Sequence, residues 1–217
     1  QVRNKGTIGG SLVHADPAAD WPAAIIAADA QMHIHGPGGA RLVSAADFFT
    51  GFYETAVGET DVLTDIHFPI PPAGSKSTYQ KFPQPASRYA LVGCAVQITM
   101  NGDTIGDCRI GFTGVSDAAF RDTAAENVLK GQSLNTASIQ AAADAAAADI
   151  TAVVPTAAIV PIVAAVAAVA PAAVAPAEAA APTAADAAPA VKNTATTTPA
   201  ATVAVPTSVK LLTVASV

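Results

Sequence analysis

Charge is scarce in this chain, as is cysteine, and each shortage closes off a class of function. Only 11 of the 217 residues are Lys or Arg, against 17 Asp or Glu, for a net charge of −6. No basic cluster occurs, so no nucleic-acid partner is expected, since such a surface needs grouped Lys and Arg. The two cysteines, Cys94 and Cys108, lie in apolar, strand-like contexts. They read as buried free thiols of a reducing compartment rather than as a disulfide. Two are also too few for an iron–sulfur cluster, which usually takes four thiolates. His33 and His35 alternate on one strand pattern, but no third ligand is placed to complete a tetrahedral metal site. No Walker-type loop is present. Ser11 and His14 are too local to belong to a Ser-His-Asp arrangement. No metal site and no catalytic residue is expected on this chain.

The composition changes along the chain. Residues 1–150 mix apolar, polar and charged positions and are numerous enough to bury a core. Beyond Thr151 the sequence is mostly Ala, Val, Pro and Thr, with only Glu178, Asp186, Lys192 and Lys210 charged. Pro155, Pro161, Pro171, Pro176 and Pro182 interrupt every helical stretch there, each interior Pro costing about 3 kcal/mol in a helix. The longest apolar run, Ala157 to Ala175, contains two of them and is rich in weakly hydrophobic Ala, which argues against a membrane span. An Ala/Pro-rich disordered extension is expected over 151–217. A reading-frame error in a GC-rich gene is a second explanation of so abrupt a shift.

Within 1–150 the pattern alternates between helix and strand. Asp20 is expected to cap a short helix running to Asp29, with Pro22 tolerated in its first turn. Gln31–His35 reads as a strand, Gly36–Gly39 as a turn, and Arg41–Val43 as the returning strand. Ser44 caps a short helix carrying Asp47-Phe-Phe49. Asp61–Phe68 alternates with Val62, Thr64, Ile66 and Phe68 on one face and Leu63 on the other, and Pro69-Ile-Pro-Pro72 ends it. Three strands follow at Ser77–Phe82, Ala90–Met100 and Ile105–Phe112, with Asn101-Gly-Asp103 as a hairpin signal. Two helices are expected near Ala118–Leu129 and Thr136–Ala148. An antiparallel sheet backed by helices is the layered solution for such a pattern.

The stretch Thr7-Ile-Gly-Gly-Ser-Leu-Val-His-Ala-Asp-Pro-Ala-Ala-Asp20 carries the densest chemistry. Gly9 and Gly10 lack Cβ atoms and let backbone amides approach a bulky ligand. Thr7, Ser11 and His14 surround them with hydrogen-bonding groups, and Asp16 and Asp20 supply carboxylates. Read as a loop, this segment suits a phosphate-bearing cofactor whose ribityl or ribose hydroxyls meet a carboxylate. A plain Gly-Gly turn has the same local signature.

Arg3-Asn-Lys-Gly-Thr-Ile-Gly-Gly-Ser11 followed by Ala15-Asp-Pro-Ala-Ala-Asp20 resembles the flavin-binding signature of the molybdenum hydroxylase family. The similarity is strongest to the FAD-carrying medium subunit of aerobic carbon monoxide dehydrogenases. Tyr79-Gln-Lys-Phe-Pro-Gln-Pro-Ala-Ser-Arg-Tyr-Ala-Leu-Val-Gly93 is similar to that subunit's strand and loop facing the isoalloxazine. Ala45-Ala-Asp-Phe-Phe49 and Asp61-Val-Leu-Thr-Asp-Ile66 fall in the family's order. The resemblance runs from Gln1 to about Ile150. It implies an α+β chain with the second lobe of a PCMH-type FAD-binding domain over 1–73. A flavoprotein C-terminal domain, a three-stranded antiparallel sheet with helices, would occupy 74–150, followed by the tail 151–217. Because the family's flavin domain has a first lobe with its own Gly-rich loop, the chain is expected to be truncated at its N-terminus.

The same resemblance assigns residues. It sets the backbone of Ile8, Gly9, Gly10 and Ser11, with Thr7 beside them, against the phosphate and ribityl part of FAD. Asp20 becomes the carboxylate that accepts hydrogen bonds from the flavin, with Asp16 nearby. His14 departs from the small polar residues usual at its position. Leu63 matches a residue touching the isoalloxazine, Lys81 a cation beside it, and Tyr89 a ring lying against it. By residue type alone Leu63 reads as a core leucine, Lys81 as a solvated strand lysine and Tyr89 as a half-buried loop tyrosine.

The implied activity is that of an oxidoreductase subunit. Substrate would be oxidised at a molybdenum cofactor on a large subunit. Electrons would then pass through two [2Fe–2S] clusters on a small subunit to FAD here, and on to a quinone or other acceptor. A dimer of heterotrimers, cytoplasmic or at the inner face of the cell membrane, and aerobic carbon monoxide oxidation are expected. One alternative is a truncated fragment that docks onto its partners without FAD. Another is the flavin subunit of a related N-heterocycle or aromatic acyl-CoA hydroxylase.

Overall fold

A computed structural model describes residues 5–150. The N-terminal half opens with two helices, α1 (Ile8–His14) and α2 (Asp20–Ala27). Strands β1 (Gln31–Gly36) and β2 (Gly39–Ser44) form a hairpin, and Gly39 takes the left-handed φ of +100° at the turn. A one-turn helix α3 (Ala45–Phe48) follows, its Ser44 cap accepting from the Asp47 N–H at 3.2 Å. Two short strands, β3 (Phe49–Gly51) and β4 (Glu54–Thr55), pair with each other, and β5 (Val62–His67) completes an antiparallel sheet in the order β2-β1-β5. Period-two alternation buries Met32 and Ile34 of β1 against Leu12, Ile25, Ile26 and Phe48.

The second half is a four-stranded antiparallel sheet, β6 (Ser75–Pro83), β7 (Ala90–Asn101), β8 (Thr104–Thr113) and β9 (Phe120–Arg121), in sequential order. Helices α4 (Thr123–Leu129) and α5 (Thr136–Asp149) follow it. Ile139, Ala142, Ala143 and Ala146 recur at the i, i+3, i+4, i+7 spacing of a helix face. They are buried with Val92, Cys94, Val96, Ile98, Ile110 and Phe112 of the sheet. Both cysteines are buried and free, as their contexts predict. Glu126 of α4 is also buried. Its carboxylate takes two hydrogen bonds from the Arg121 guanidinium, at 2.7 and 2.9 Å, and one from the Ile110 N–H at 3.0 Å, so the buried charge is both paired and hydrogen-bonded.

The opposite face of this sheet receives α2, through small residues. Ala23 and Ala27 of α2 pack on Ala95 and Tyr79. Gly111 lets the helix backbone in: a Cβ there would stand 2.5 Å from the Ala23 carbonyl oxygen. The preceding loop is clamped to the same sheet. The Gly114 N–H donates to the Pro17 carbonyl at 2.7 Å, and the buried Thr113 hydroxyl lies 2.6 and 2.8 Å from the Pro17 and Ala19 carbonyls.

Four details depart from the sequence expectations. The Thr7–Asp20 stretch is not a continuous loop: Ile8–His14 is helical, because the Thr7 hydroxyl caps it by accepting the Gly10 N–H at 3.0 Å. Asp20 is the first residue of α2 rather than its cap, which is Ala19. The last sheet has four strands, since Phe120 and Arg121 pair with Phe112 and Gly111 and delay α4 to Thr123, behind the Asp122 cap. Finally, Leu63 and Ile66 share the core-facing side of β5. A register shift against His33 and Ile34 leaves Thr64 as an extra residue, and one such residue reverses the alternation. The expected extension 151–217 lies outside the described residues. Among the described residues no helix is long and apolar enough to cross a membrane.

Gly111→Ala is expected to destabilise the protein by about 1–3 kcal/mol, as an overpacked backbone contact does. A lower urea midpoint with an unchanged slope is the expected readout.

Candidate functional site

Helix α2 starts over the edge strand β6, and that start carries Asp20. A first-turn carboxylate ordinarily faces the helix N-terminus. Here it turns to the sheet instead. Its Oδ1 accepts from the Tyr79 hydroxyl at 2.6 Å and from Lys81 Nζ at 3.1 Å, and Oδ2 accepts from Lys81 Nζ at 2.9 Å. Tyr79 and Lys81 are two apart on β6 and so share a face. Burial, followed by the Asp20 hydrogen bond, pushes the Tyr79 phenol well above its ordinary value. The Asp20 side chain remains 47% exposed and Lys81 27%. A carboxylate has about four acceptor sites, so these three contacts leave Asp20 able to take a further donor.

Asp20 and Lys81 line an open cleft of about 240 Å³ together with Ala18, Ala19, Trp21, Ser87, Arg88 and Tyr89. Trp21 and Tyr89 are half exposed there. The Gln84–Tyr89 loop is held by its own bonds. Gln84 Oε1 accepts the N–H groups of Ala86 and Ser87 at 2.6 and 2.7 Å, and the Gln84 N–H donates to the Tyr89 carbonyl at 2.8 Å. Arg88 sits at φ +63°, a left-handed conformation uncommon outside glycine.

Tyr53 extends this site. Its ring lies 5.1 Å from His14. Desolvation and the facing Asp16 carboxylate raise its phenol above the ordinary value, and Tyr89 adds to the effect. Tyr53 also takes a left-handed φ of +56° and stacks edge-on to the exposed Phe52 at 4.7 Å. His14, Asp16, Tyr53 and Tyr89 therefore form a chain of neighbours leading to the cleft.

The structure thus brings Asp20, Lys81 and Tyr89 into one cleft, with His14 and Asp16 linked to it through Tyr53. Thr7, Ile8, Gly9, Gly10 and Ser11 stand at the other end of α1. Helix geometry leaves the first N–H groups of α1 without intrahelical acceptors, and Thr7 takes that of Gly10. Apart from its chain neighbours and the backbone of its own helix, no described atom lies within 4 Å of a Cβ built on Gly9. Leu63 does not line the cleft. It is partly buried against the N-terminal core, the place its residue type alone suggests. Asp16 caps its own turn, Oδ1 accepting the Ala18 N–H at 2.9 Å. Trp21, Tyr53 and Tyr79 were missed. The i, i+2 pairing of Tyr79 with Lys81 was the available signal for one of them. Among the described residues no group of three or more His, Cys, Asp or Glu could hold a metal ion.

Such a cleft suits a planar, polar-edged ligand: two exposed rings offer stacking surfaces, and an ion pair offers both an acceptor and a cation. Residues 1–71 match the FAD binding domain in molybdopterin dehydrogenase, and residues 77–159 match the CO dehydrogenase flavoprotein C-terminal domain. Together the two matches give the chain an FAD binding domain of the molybdopterin dehydrogenase type followed by a CO dehydrogenase flavoprotein C-terminal domain. It is 39% identical to the carbon monoxide dehydrogenase medium chain of Hydrogenophaga pseudoflava over 133 residues, 61% of this chain and 46% of that one. It is 38% identical to the glyceraldehyde dehydrogenase medium chain of Sulfolobus acidocaldarius over 135 residues, 62% of this chain and 48% of that one. The solved carbon monoxide dehydrogenase from H. pseudoflava superposes with a TM-score of 0.73 at 37% identity, covering 78% of this chain and 62% of that one. The chain spans about half the length of the curated relatives it matches.

A half-exposed ion pair contributes about 0–1 kcal/mol to stability. Lys81→Met should therefore leave the thermal midpoint almost unchanged, and a large drop would show that the cluster serves folding.

Proposed function

We propose that this chain is the flavoprotein component of a molybdenum hydroxylase complex, most similar in role to that of aerobic carbon monoxide oxidation. It would receive electrons from [2Fe–2S] clusters on a small subunit and deliver them to a quinone or another acceptor. Substrate would be oxidised at the molybdenum cofactor of a large subunit, in a dimer of heterotrimers in the cytoplasm or at the inner face of the membrane. The observation that carries the reading is the cleft joining Asp20, Lys81 and Tyr89, which lies across the junction of the two matched domains; we set that junction at 73/74. The medium chains named for carbon monoxide and for glyceraldehyde dehydrogenation are almost equally similar, so the preference for carbon monoxide rests on the Gln84–Tyr89 loop.

When bound, FAD supplies the exchange between one-electron carriers and a two-electron acceptor. This chain's residues have binding and tuning roles. The α1 N-terminal amides of Ile8 and Gly9, with the Ser11 hydroxyl, would suit phosphate oxygens, which favour helix N-termini, while the Gly10 N–H is held by the Thr7 cap. With FAD in the cleft, Asp20 would accept from the flavin side, and the Tyr89 and Trp21 rings would offer it stacking surfaces. Lys81 would supply a cation that favours the reduced cofactor, with Asp20 offsetting part of its charge.

Absorbance near about 450 nm, which reports bound flavin, tests the reading on the purified chain alone and with its partner subunits. A colourless protein in both states favours a docking fragment that holds no FAD. Gly9→Val sharpens the test, because the ligand-free fold has open space at that Cβ. The variant is expected to fold normally and lose FAD; full flavin content would remove the α1 assignment. Tyr89→Ala should weaken FAD roughly tenfold, the equivalent of about 1.4 kcal/mol, and speed the reaction of the reduced protein with oxygen.

A further inference from the structure

Lys81 alone does not explain why Asp20 points into the cleft. A lysine has a long, flexible stem and many rotamers, and an exposed ion pair fixes geometry poorly. The rigid contact is the Tyr79 hydroxyl. Its ring has only two side-chain torsions and is packed against Ala23, Ala27 and Ala95, and its hydroxyl donates to Asp20 Oδ1 at 2.6 Å. Hydrogen bonds to an ionised acceptor are the strong ones.

Gly93 makes this contact possible. It pairs directly with Lys81 on one side and Thr113 on the other. A Cβ on Gly93 would collide with the Tyr79 hydroxyl and approach Thr113 Cγ2 to 2.6 Å. Thr113 in turn fixes the backbone just before Asp20 through the Pro17 and Ala19 carbonyls. One missing side chain therefore accommodates both groups that place Asp20, one through the backbone and one through the carboxylate.

We propose that Tyr79 is a positioning residue of the flavin site, orienting Asp20 for the cofactor, and that Gly93 is the gap that admits its hydroxyl. This rests on the reading of Asp20 as a flavin contact. The experiment is a double-mutant cycle on the full chain: FAD affinity by fluorescence titration for wild type, Tyr79→Phe, Asp20→Asn and the double variant, with thermal midpoints in parallel. Tyr79→Phe keeps the ring packing and removes only the hydroxyl. It is expected to weaken FAD about tenfold without lowering the midpoint appreciably, and to add less than about twofold when Asp20 is already Asn. Gly93→Ala should mimic Tyr79→Phe, and Tyr79→Phe carries the test if Gly93→Ala fails to fold. Without ligand, the Tyr79 phenol, followed by NMR through its ring carbon, should stay un-ionised beyond the ordinary tyrosine range, and Asp20→Asn should bring its ionisation back toward that range. If Asp20→Asn weakens FAD but Tyr79→Phe does not, or if the two effects add independently, the positioning role is overturned. If Asp20→Asn leaves FAD affinity unchanged, or the full chain takes up no FAD, the flavin reading of Asp20 fails and this inference fails with it. The ligand-free titration then reports separately on whether the hydrogen bond exists.

Discussion

Everything the cleft contains depends on how closely α2 lies on the face of β7 and β8. Were Gly111 or Ala95 larger, the helix would ride higher on the sheet, and Asp20 would lose contact with β6. Backbone-to-sheet approach of this kind is available only where side chains are absent or minimal. The sheet's two faces are accordingly built to different rules. The side toward α4 and α5 is filled with Val, Ile, Phe and Leu and supplies cohesion. The side toward α2 is cut down at Gly111 and Ala95, where the helix comes closest, and supplies proximity.

That proximity joins parts of the chain that are remote in sequence. The Tyr79–Asp20 hydrogen bond closes a separation of 59 residues, and the Thr113–Pro17 contact one of 96. Neither half owns the site. The N-terminal matched domain contributes the carboxylate and Trp21, and the C-terminal one contributes the cation, the phenol and the Tyr89 loop. A cofactor bound there would act as a third packing element between the two, adding its binding free energy to the folded state by mass action.

Much of this was legible in the sequence. The alternation of Gln31–His35 announced β1, Asn101-Gly102-Asp103 announced the β7–β8 turn, and the helix expected near Thr136–Ala148 is α5. Elsewhere a local rule met a stronger tertiary one. The Gly-Gly pair argued for a loop, yet the Thr7 cap and the buried Leu12 hold α1 in helix. Asp20 had the residue type of a cap, but a cation and a phenol offered its carboxylate more than two backbone amides could. The alternation of Val62–Phe68 was read correctly until the Thr64 bulge, which no composition rule marks. Phe120 and Arg121 had no strand signature at all; they pair because β8 still has an open edge. For the site, Asp20 and Lys81 were recognisable as types, whereas their meeting was not, since it arises from helix height over the sheet rather than from any spacing along the chain.

The proposed flavin role gives the two thiols a different meaning. Cys94 and Cys108 are fully buried in the sheet. Burial pushes the Cys108 thiol up to about 12 and that of Cys94 higher still. Oxidants attack the thiolate, and only when they can reach it. Met32 is also fully buried and Met100 partly so. Within the described residues, sulfur is thus largely withdrawn from the surface that a dissolved oxidant would meet first.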